Sequence, residues 1–518
     1  MAPTWFALIG KECHEQKWKL ASLAAIVLAV QVSLTQTDGK FDPFAMYLTQ
    51  ALCAPPIALF IAMGVAAGES AAGTLEFMRA LPIPRRQFAT VRLMVGAATC
   101  LAAIGLPTQL VMWWATATGA FDWTAWTTTS GESNFGLGQH PDVVLYGLPA
   151  CFALCLYVWA VAAAIGQPTE LRAGLWALAV WIVWLIAAPA SDLWLPGWSV
   201  RLHSLGPLYW MGSAPQEIAL VAWPQIFIAA ALAASSIARY GRLARADNRS
   251  PAEITGPEGS AGFAIGRACG SRLSAMLWMQ LRQATPLTMI GPGALALILL
   301  MITCSPAYGP HVGVLELLAM GVYISAVPIG LLTALIVAVG SFVPDLQRGL
   351  LEFWRSRPIT PTRWFWTKYL VGAAALAVFL ASPMLAGAWL AGDVEAQFVP
   401  LLITVPWMLL PAYSIAVCCA CMVRQAVYAG ILALATSVGL MLLVFRLAAR
   451  FTDLIPLSPL HVIDRLSYHA RLAIVAADRL RYDDTLLYTG FVIEMVTVAA
   501  VAALLAWRSI ARPTRFAS

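Results

Sequence analysis

The chain has 518 residues, of which 60% are hydrophobic and only 11% are charged, with a formal net charge of +6 and a mean hydropathy of +0.76. A surface that faces water on all sides cannot be built from so few polar residues, so the composition excludes a soluble globular protein. It predicts an all-α polytopic membrane protein in which the positive charge reflects topology, and it gives no reason to expect nucleic acid as a partner.

The first residues predict an amphipathic helix that lies in the membrane interface before the first span. Its large apolar side chains alternate with charged ones. These residues are Trp5, Leu8, Ile9 and Trp18, mixed with Lys11, Glu12, Glu15 and Lys19. About nineteen residues, including a basic cluster from Lys11 to Lys19, precede the first apolar run, which is therefore expected to be an uncleaved span and not a signal peptide.

About twelve apolar runs follow, each close to the roughly 20 residues that cross a bilayer as a helix. The first six lie near residues 20–36, 44–68, 89–117, 143–165, 171–190 and 216–239. The second six lie near residues 287–305, 312–342, 365–391, 398–422, 426–447 and 486–508.

A charged, proline-containing turn separates the second run from the third, at residues 69–87. Glu69 is expected to begin a short helix, because an acidic side chain is favoured beside the unpaired NH groups of a helix N-terminus. Glu76 and Arg79 then share one helix face, and Pro82 ends the helix. The sequence predicts a stiff polar turn that projects from the membrane.

The segment 241–272 is rich in Gly, Pro, Ser and Arg and predicts a linker between two domains, 1–240 and 273–518. After it, Leu273, Met276, Leu277, Leu281 and Ala284 recur at helical spacing. This pattern predicts a second amphipathic helix in the membrane interface.

The turn at 345–363 repeats the turn at 69–87. One constant offset pairs Glu69 with Asp345, Gly73 with Gly349, Glu76 with Glu352, Phe77 with Phe353, Arg79 with Arg355, Pro82 with Pro358, Ile83 with Ile359 and Arg92 with Lys368. The repeat predicts two six-helix halves. Since each half has an even number of spans, the two halves are expected to be parallel repeats.

The distribution of basic residues predicts the orientation. With both termini in the cytoplasm, three quarters of the 32 Lys and Arg residues face the cytoplasm, as the positive-inside rule requires. Both turns then project into the cytoplasm, and the chain is expected in the cell (inner) membrane.

The segments "GTLEFMRALPIPRRQF" and "GLLEFWRSRPITPTRWF" resemble the turn between the second and third spans of ABC-2-type permeases, the membrane subunits of a class of ABC exporters. The resemblance implies a fold of six spans per half with an amphipathic helix before the first. It also implies that each turn is a coupling helix that docks on a cytosolic ATPase subunit. That role would fall on Glu69, Gly73, Glu76, Phe77, Arg79, Pro82 and Ile83, and on Asp345, Gly349, Glu352, Phe353, Arg355, Pro358 and Ile359. Family members often carry one half per chain, whereas this chain would carry both.

The chain contains no phosphate-binding loop of the form GxxxxGK[ST], so ATP and Mg²⁺ are expected on two copies of a separate ATPase subunit, and no cofactor or metal is expected on this chain. Pro56 and Pro328 are the candidate pathway residues, because a proline within a helix leaves a carbonyl group unpaired, and that group can face the pathway. Glu316 and Glu494 are the acidic residues within apolar runs and are candidates for function or for structural ion pairs.

Three other hypotheses remain open. An ion-coupled secondary transporter also commonly has two six-span halves, but it needs ionisable groups near the middle of the spans. A membrane enzyme needs convergent catalytic groups, which the sequence does not indicate. A scaffold that transports nothing is the third hypothesis. For the turn itself, when it is considered as a single copy, an ordinary loop that only sets topology is an alternative to a docking helix.

Overall fold

The structure is a computed structural model and is almost entirely helical where it is described. The chain divides into two compact units, Met1–Glu258 and Gly259–Ser518. The boundary falls within the segment 241–272. The described residues are 2–34, 36–37, 40–41, 43–72, 84–120, 143–167, 169–190, 205–206, 215–246, 272–293, 296, 314–346, 360–381, 399–450 and 483–511.

Unit 1 contains six α-helices and one short hairpin among its described residues. The hairpin pairs β1 with β2 antiparallel, with Gln36 opposite Phe41. In chain order the elements are α1 Ala2–Leu34, β1 Gln36–Thr37, β2 Lys40–Phe41, α2 Pro43–Ala72, α3 Arg85–Ala117, a π-helical turn Val143–Gly147, α4 Leu148–Ala164, α5 Glu170–Ala190 and α6 Pro215–Ala246.

Unit 2 also contains six α-helices among its described residues. These are α7 Arg272–Thr288, α8 Val314–Leu346, α9 Pro361–Leu376 with a π-helical turn Ala377–Ala381, α10 Val399–Val423, α11 Ala426–Arg450 and α12 Asp483–Ala511. The start of α9 is fixed locally, because Thr360 Oγ1 accepts a hydrogen bond from Arg363 N at 3.3 Å and Pro361 suits the first helical position.

Five helical stretches in the described part of the chain are long and apolar enough to cross a membrane. They are Thr49–Gly68, Arg86–Ala117, Leu145–Ala164, Ile329–Leu346 and Pro361–Ala381. The protein is therefore an α-helical membrane protein. The helices occupy the positions of all but one of the predicted apolar runs; most of the remaining run, 287–305, lies outside the described residues.

The N-terminal segment differs from the prediction of a separate amphipathic helix. Helix α1 runs without a break from Ala2 to Leu34. Its buried face includes Leu8, Leu23 and Val27, but also Glu12 and Lys19. The expected apolar face is largely outside, with Trp18 66% exposed. The segment is therefore part of one long helix and not a separate interfacial helix, and Glu12 and Lys19 have partners on other helices, as described below.

Small side chains form much of the contact between helices. In unit 2, α10 packs along α8 and α12, and the buried alanines Ala416 and Ala420 on α10 and Ala503 and Ala506 on α12 are all at most 2% exposed. Lipid is as apolar as the side chains, so close van der Waals packing and not hydrophobicity favours the association of such helices. The interior of unit 2 consequently has no room for larger residues at these positions.

Substitution of Ala506 by leucine is expected to destabilise unit 2 by about 1–3 kcal/mol, because the added methylene groups overpack a closed contact. Ala500→Leu is the matched control, since Ala500 lies on the same helix but is exposed. Thermal unfolding in detergent should show a lower midpoint for Ala506→Leu alone. Equal midpoints for the two variants would contradict the packing described here.

Candidate functional site at the bases of two helix turns

Most of the residues predicted to couple to an ATPase lie outside the described residues, within 73–83 and 347–359. They are Gly73, Glu76, Phe77, Arg79, Pro82 and Ile83 in the first turn, and Gly349, Glu352, Phe353, Arg355, Pro358 and Ile359 in the second. The structure describes the helix ends that carry these turns. We call the end of α2 with the start of α3 the first base, and the end of α8 with the start of α9 the second base.

Glu69 and Asp345 do not begin short helices, which corrects the prediction. Glu69 lies in the last turn of α2, and Asp345 is the second-last residue of α8. The apolar runs before them continue as helix through the acidic residue, and α2 and α8 end only at Ala72 and Leu346. A carboxylate near a helix C-terminus is disfavoured by the helix dipole, so Asp345 requires compensation from elsewhere.

Lys368 supplies that compensation in the second base. Its ammonium group donates a hydrogen bond to Asp345 Oδ2 and forms a salt bridge between α8 and α9. Lys368 is 1% exposed and so does not anchor α9 at a membrane surface. Its Nζ also lies 5.3 Å from the ring centroid of Trp364 and 5.7 Å from that of Phe342. The pair is enclosed by aromatic rings and fastens α9 to the end of α8.

Arg92 occupies the matched position in the first base. Its Nη2 donates a hydrogen bond to the carbonyl oxygen of Gly64 at 2.9 Å, which ties α3 to α2. Its Nε lies 3.8 Å from Glu12 Oε2, and both side chains are almost completely buried. Its Nη1 lies 3.5 Å from Tyr240 Oη on α6. Arg92 therefore connects α3 with α1, α2 and α6.

A second cation is buried beside Arg92. Lys19 on α1 is 7% exposed and Glu170 at the start of α5 is 3% exposed. Glycine at position 68 leaves space for Arg92 and Glu170, because a Cβ there would lie 3.0 Å from Arg92 Nη2 and 3.8 Å from Glu170 Oε1. The first base thus holds two cations and two carboxylates, Glu12 and Glu170, in one buried cluster.

The two bases share further contacts at matched positions. An aromatic ring lies one helical turn before each cation. Arg92 Cζ is 5.9 Å from the Phe88 ring centroid, and Lys368 is likewise close to Trp364. Tyr157 on α4 donates to the carbonyl oxygen of Leu93 at 3.0 Å, and Tyr413 on α10 donates to that of Tyr369 at 3.2 Å. The offset that pairs Arg92 with Lys368 also pairs Leu93 with Tyr369.

Each tyrosine hydroxyl reaches its carbonyl by passing over a glycine. A Cβ at Gly96 would contact the Tyr157 hydroxyl and lie 3.0 Å from its Cζ, and a Cβ at Gly372 would contact the Tyr413 hydroxyl and lie 2.9 Å from its Cζ. Gly96 and Gly372 are again paired by the same offset. The close approach of α4 to α3 and of α10 to α9 therefore depends on the same missing side chain.

The remaining predicted residues lie on helices but are not brought into this site. Pro56 is half-buried within α2, which continues through it. Pro328 and Glu316 lie on α8, and Glu494 lies on α12; their side chains are outside the described residues. Glu12 and Glu170 were not singled out from the sequence. The available signal was Arg92, a cation within an apolar run that needs a buried partner.

The comparisons with known proteins identify no relative. No protein-family model matches the chain, no curated protein matches its sequence, and no solved structure matches its fold.

Loss of one partner of the buried pair should destabilise unit 2 strongly. Lys368→Met leaves the Asp345 carboxylate buried without its cation, which typically costs about 3–5 kcal/mol. The double variant Asp345→Leu/Lys368→Met removes both charges and should recover most of that loss. Thermal unfolding in detergent measures both, with the exposed Arg363→Met as control. If single and double variants are equally destabilised, the salt bridge is not the interaction that holds the second base.

Alanine at Gly372 should also lower stability, because it displaces the Tyr413 hydroxyl from its carbonyl. Adding Tyr413→Phe removes that hydroxyl and should recover part of the loss in the same unfolding measurement. Gly439→Ala on α11 is the matched control, since nothing lies within 4 Å of a Cβ built there. That control should raise stability by up to about 1 kcal/mol, as expected for Gly to Ala in a helix. Destabilisation by both alanines to the same extent would contradict the close approach.

Proposed function

We propose that the chain is the transmembrane permease subunit of an ATP-driven ABC exporter, and that it couples to separate ATPase subunits through the turns 69–87 and 345–363. The observation that carries this proposal is the matched construction of the two bases. Each turn connects two helices held together by a buried cation, Arg92 or Lys368, directly before a tyrosine-over-glycine contact. A loop that only sets topology requires exposed basic residues and no buried anchoring.

The buried cations give the turns a mechanical role. A partner that pushes on a flexible loop moves only the loop, because its motion is absorbed by backbone rotation. A turn whose two helices are joined by a buried salt bridge or by a guanidinium-to-carbonyl bond moves both helices together. In this mechanism, two ATPase subunits close on ATP and Mg²⁺, push the two turns, and the motion passes through α2 and α3 and through α8 and α9.

The architecture proposed with this function is two parallel six-helix repeats in the cell (inner) membrane. Both termini and both turns lie in the cytoplasm. The matched contacts of the two units support a duplication, since one offset relates the cation, the carbonyl and the glycine. In this arrangement α2 and α8 line the transport pathway near Pro56 and Pro328. The chain itself performs no ATP hydrolysis.

An ion-coupled secondary transporter is the second candidate, and the buried charges of the first base favour it. Glu12, Lys19, Arg92 and Glu170 include the kinds of group that proton-coupled carriers use. Glu170 begins α5 and Arg92 lies in the first quarter of α3, however, whereas coupling sites of such carriers lie near the midplane of the bilayer.

The test is purification of the native complex in mild detergent, followed by charge reversal in the turns. Glu76→Lys, Arg79→Glu, Glu352→Lys and Arg355→Glu are combined, and Arg282→Glu, on the exposed face of α7, is the matched control. An ATPase should copurify with the native chain and the control, and the reversed variant should retain less than about a tenth of it, because like charges then face the partner.

Transport by reconstituted vesicles decides between the two candidates. Cargo flux that requires ATP and is lost in the charge-reversed variant supports the exporter. Flux that persists without ATP but stops when the proton gradient is collapsed would overturn it in favour of the ion-coupled carrier.

A further inference from the structure

Helix α1 is tied to α3 by two buried polar contacts that lie far apart along the helices. At the first base, Glu12 Oε2 on α1 lies 3.8 Å from Arg92 Nε on α3. Near the other end of α1, Gln31 Nε2 donates a hydrogen bond to Thr108 Oγ1 on α3 at 2.9 Å. The two contacts follow the same order along both helices, so α1 and α3 lie side by side and parallel.

Helix α2 belongs to the same assembly. Gln50 Nε2 on α2 donates to the same Thr108 Oγ1 at 2.8 Å, and Arg92 Nη2 donates to the carbonyl oxygen of Gly64 at 2.9 Å. The α1 and α2 helices also meet directly, because a Cβ at Gly64 would contact Lys19 Nζ. Buried polar groups keep such partners, since a contact left unmade costs more than it contributes when made. The helices α1, α2 and α3 are therefore fastened together at two levels.

The corresponding helix of unit 2, α7, has the same buried face in a matched register. Met276, Gln280 and Ala284 on α7 are buried at the spacing of the buried Leu8, Glu12 and Gln16 on α1. This register places Gln280, an uncharged amide, at the position of Glu12. A salt bridge equivalent to that between Glu12 and Arg92 cannot form with that residue.

The second contact is also specific to unit 1 by sequence. The register of α7 places Leu299 at the position of Gln31, and the offset that pairs Arg92 with Lys368 places Met384 at the position of Thr108. Neither side chain can donate or accept the hydrogen bond that joins Gln31 to Thr108. The residues at the matched positions of unit 2 therefore reproduce neither tie.

We propose that the first turn carries α1 with it when it moves, whereas α7 is free to slide along the helices of the second turn. The inference rests on the proposed exporter function, in which an ATPase pushes both turns. Glu12 and Gln31 are positioning residues, because they pass the motion of α3 to α1. With 33 residues, α1 is about 50 Å long, so a displacement at the first base reaches the far end of the helix. The two ATPase positions are consequently unequal, since the first moves one helix more than the second.

The test measures distances between spin labels by electron paramagnetic resonance in the full-length chain with its copurified ATPase. Labels replace the exposed residues Ala29 on α1, Leu110 on α3 and Phe227 on α6, in a chain whose native cysteines are substituted. The pair on α3 and α6 reports motion of α3, and the pair on α1 and α3 reports whether these helices move together. Each distance is measured before and after addition of ATP, Mg²⁺ and vanadate.

The variant Glu12→Gln/Gln31→Leu introduces the residues that unit 2 has at the matched positions. In the native complex the nucleotide should change the distance from α3 to α6 and leave that from α1 to α3 unchanged. In the double variant the distance from α1 to α3 should also change, by about 2 Å, as expected when one helix slides past another. Glu15→Gln, which removes an exposed carboxylate from α1, is the control and should behave as the native chain.

The single variant Gln31→Leu guards against a folding defect, because it leaves every charge of the first base in place. It should fold, retain the ATPase and still release the far end of α1 on addition of nucleotide. A purely structural role would lower the unfolding temperature of the variants without altering their response to nucleotide.

Two results would overturn this inference alone. One is a distance from α1 to α3 that changes in the native complex as much as in the double variant. The other is a distance from α3 to α6 that does not respond to nucleotide in a complex that retains its ATPase. Failure of any ATPase to copurify with the native chain would instead overturn the proposed function, and this inference with it.

Discussion

The burial of a cation near the start of the helix that follows each turn is the constraint on which the rest of the structure depends. Removing a lysine or arginine from water costs several kcal/mol even after relaxation, so the surrounding chain has to supply a partner at hydrogen-bond distance. Lys368 has Asp345, and Arg92 has the Gly64 carbonyl and Glu12. Those partners lie on the helix before the turn or on α1, and this determines which helices are held together at the bases.

The two units meet this requirement differently. In unit 2 the partner is the second-last residue of α8, so the charge is balanced within the two helices of one turn. In unit 1 the balance involves α1 and α5, through Glu12, Lys19 and Glu170. This explains why α1 is one unbroken helix with charged residues on its buried face. In α7 the residues that face inward are instead Met276, Gln280 and Ala284, which carry no charge.

The sequence predicted the positions of the helices well, because long apolar runs and the prolines between them depend only on local composition. It failed where the outcome depends on tertiary partners. Asp345 and Glu69 were predicted to begin helices, because a carboxylate is favoured at a helix N-terminus. Asp345 instead lies near the C-terminus of α8, where Lys368 on the next helix compensates its charge. Glu12 and Lys19 were predicted on an interfacial amphipathic helix, because nothing in the local pattern indicates Arg92 and Glu170. Nothing in the sequence indicated a role for Gly96 and Gly372, because that role depends on the tyrosines that pack over them.

The two bases therefore differ in how many helices hold them together. The second base depends on the strength of one salt bridge, between Asp345 and Lys368. The first base is a buried cluster of charges that joins α1, α3, α5 and α6 to α2, the helix before the turn. The first turn is therefore held through α1 and α6 as well as its own helices, whereas the second turn is held by residues of its own helices.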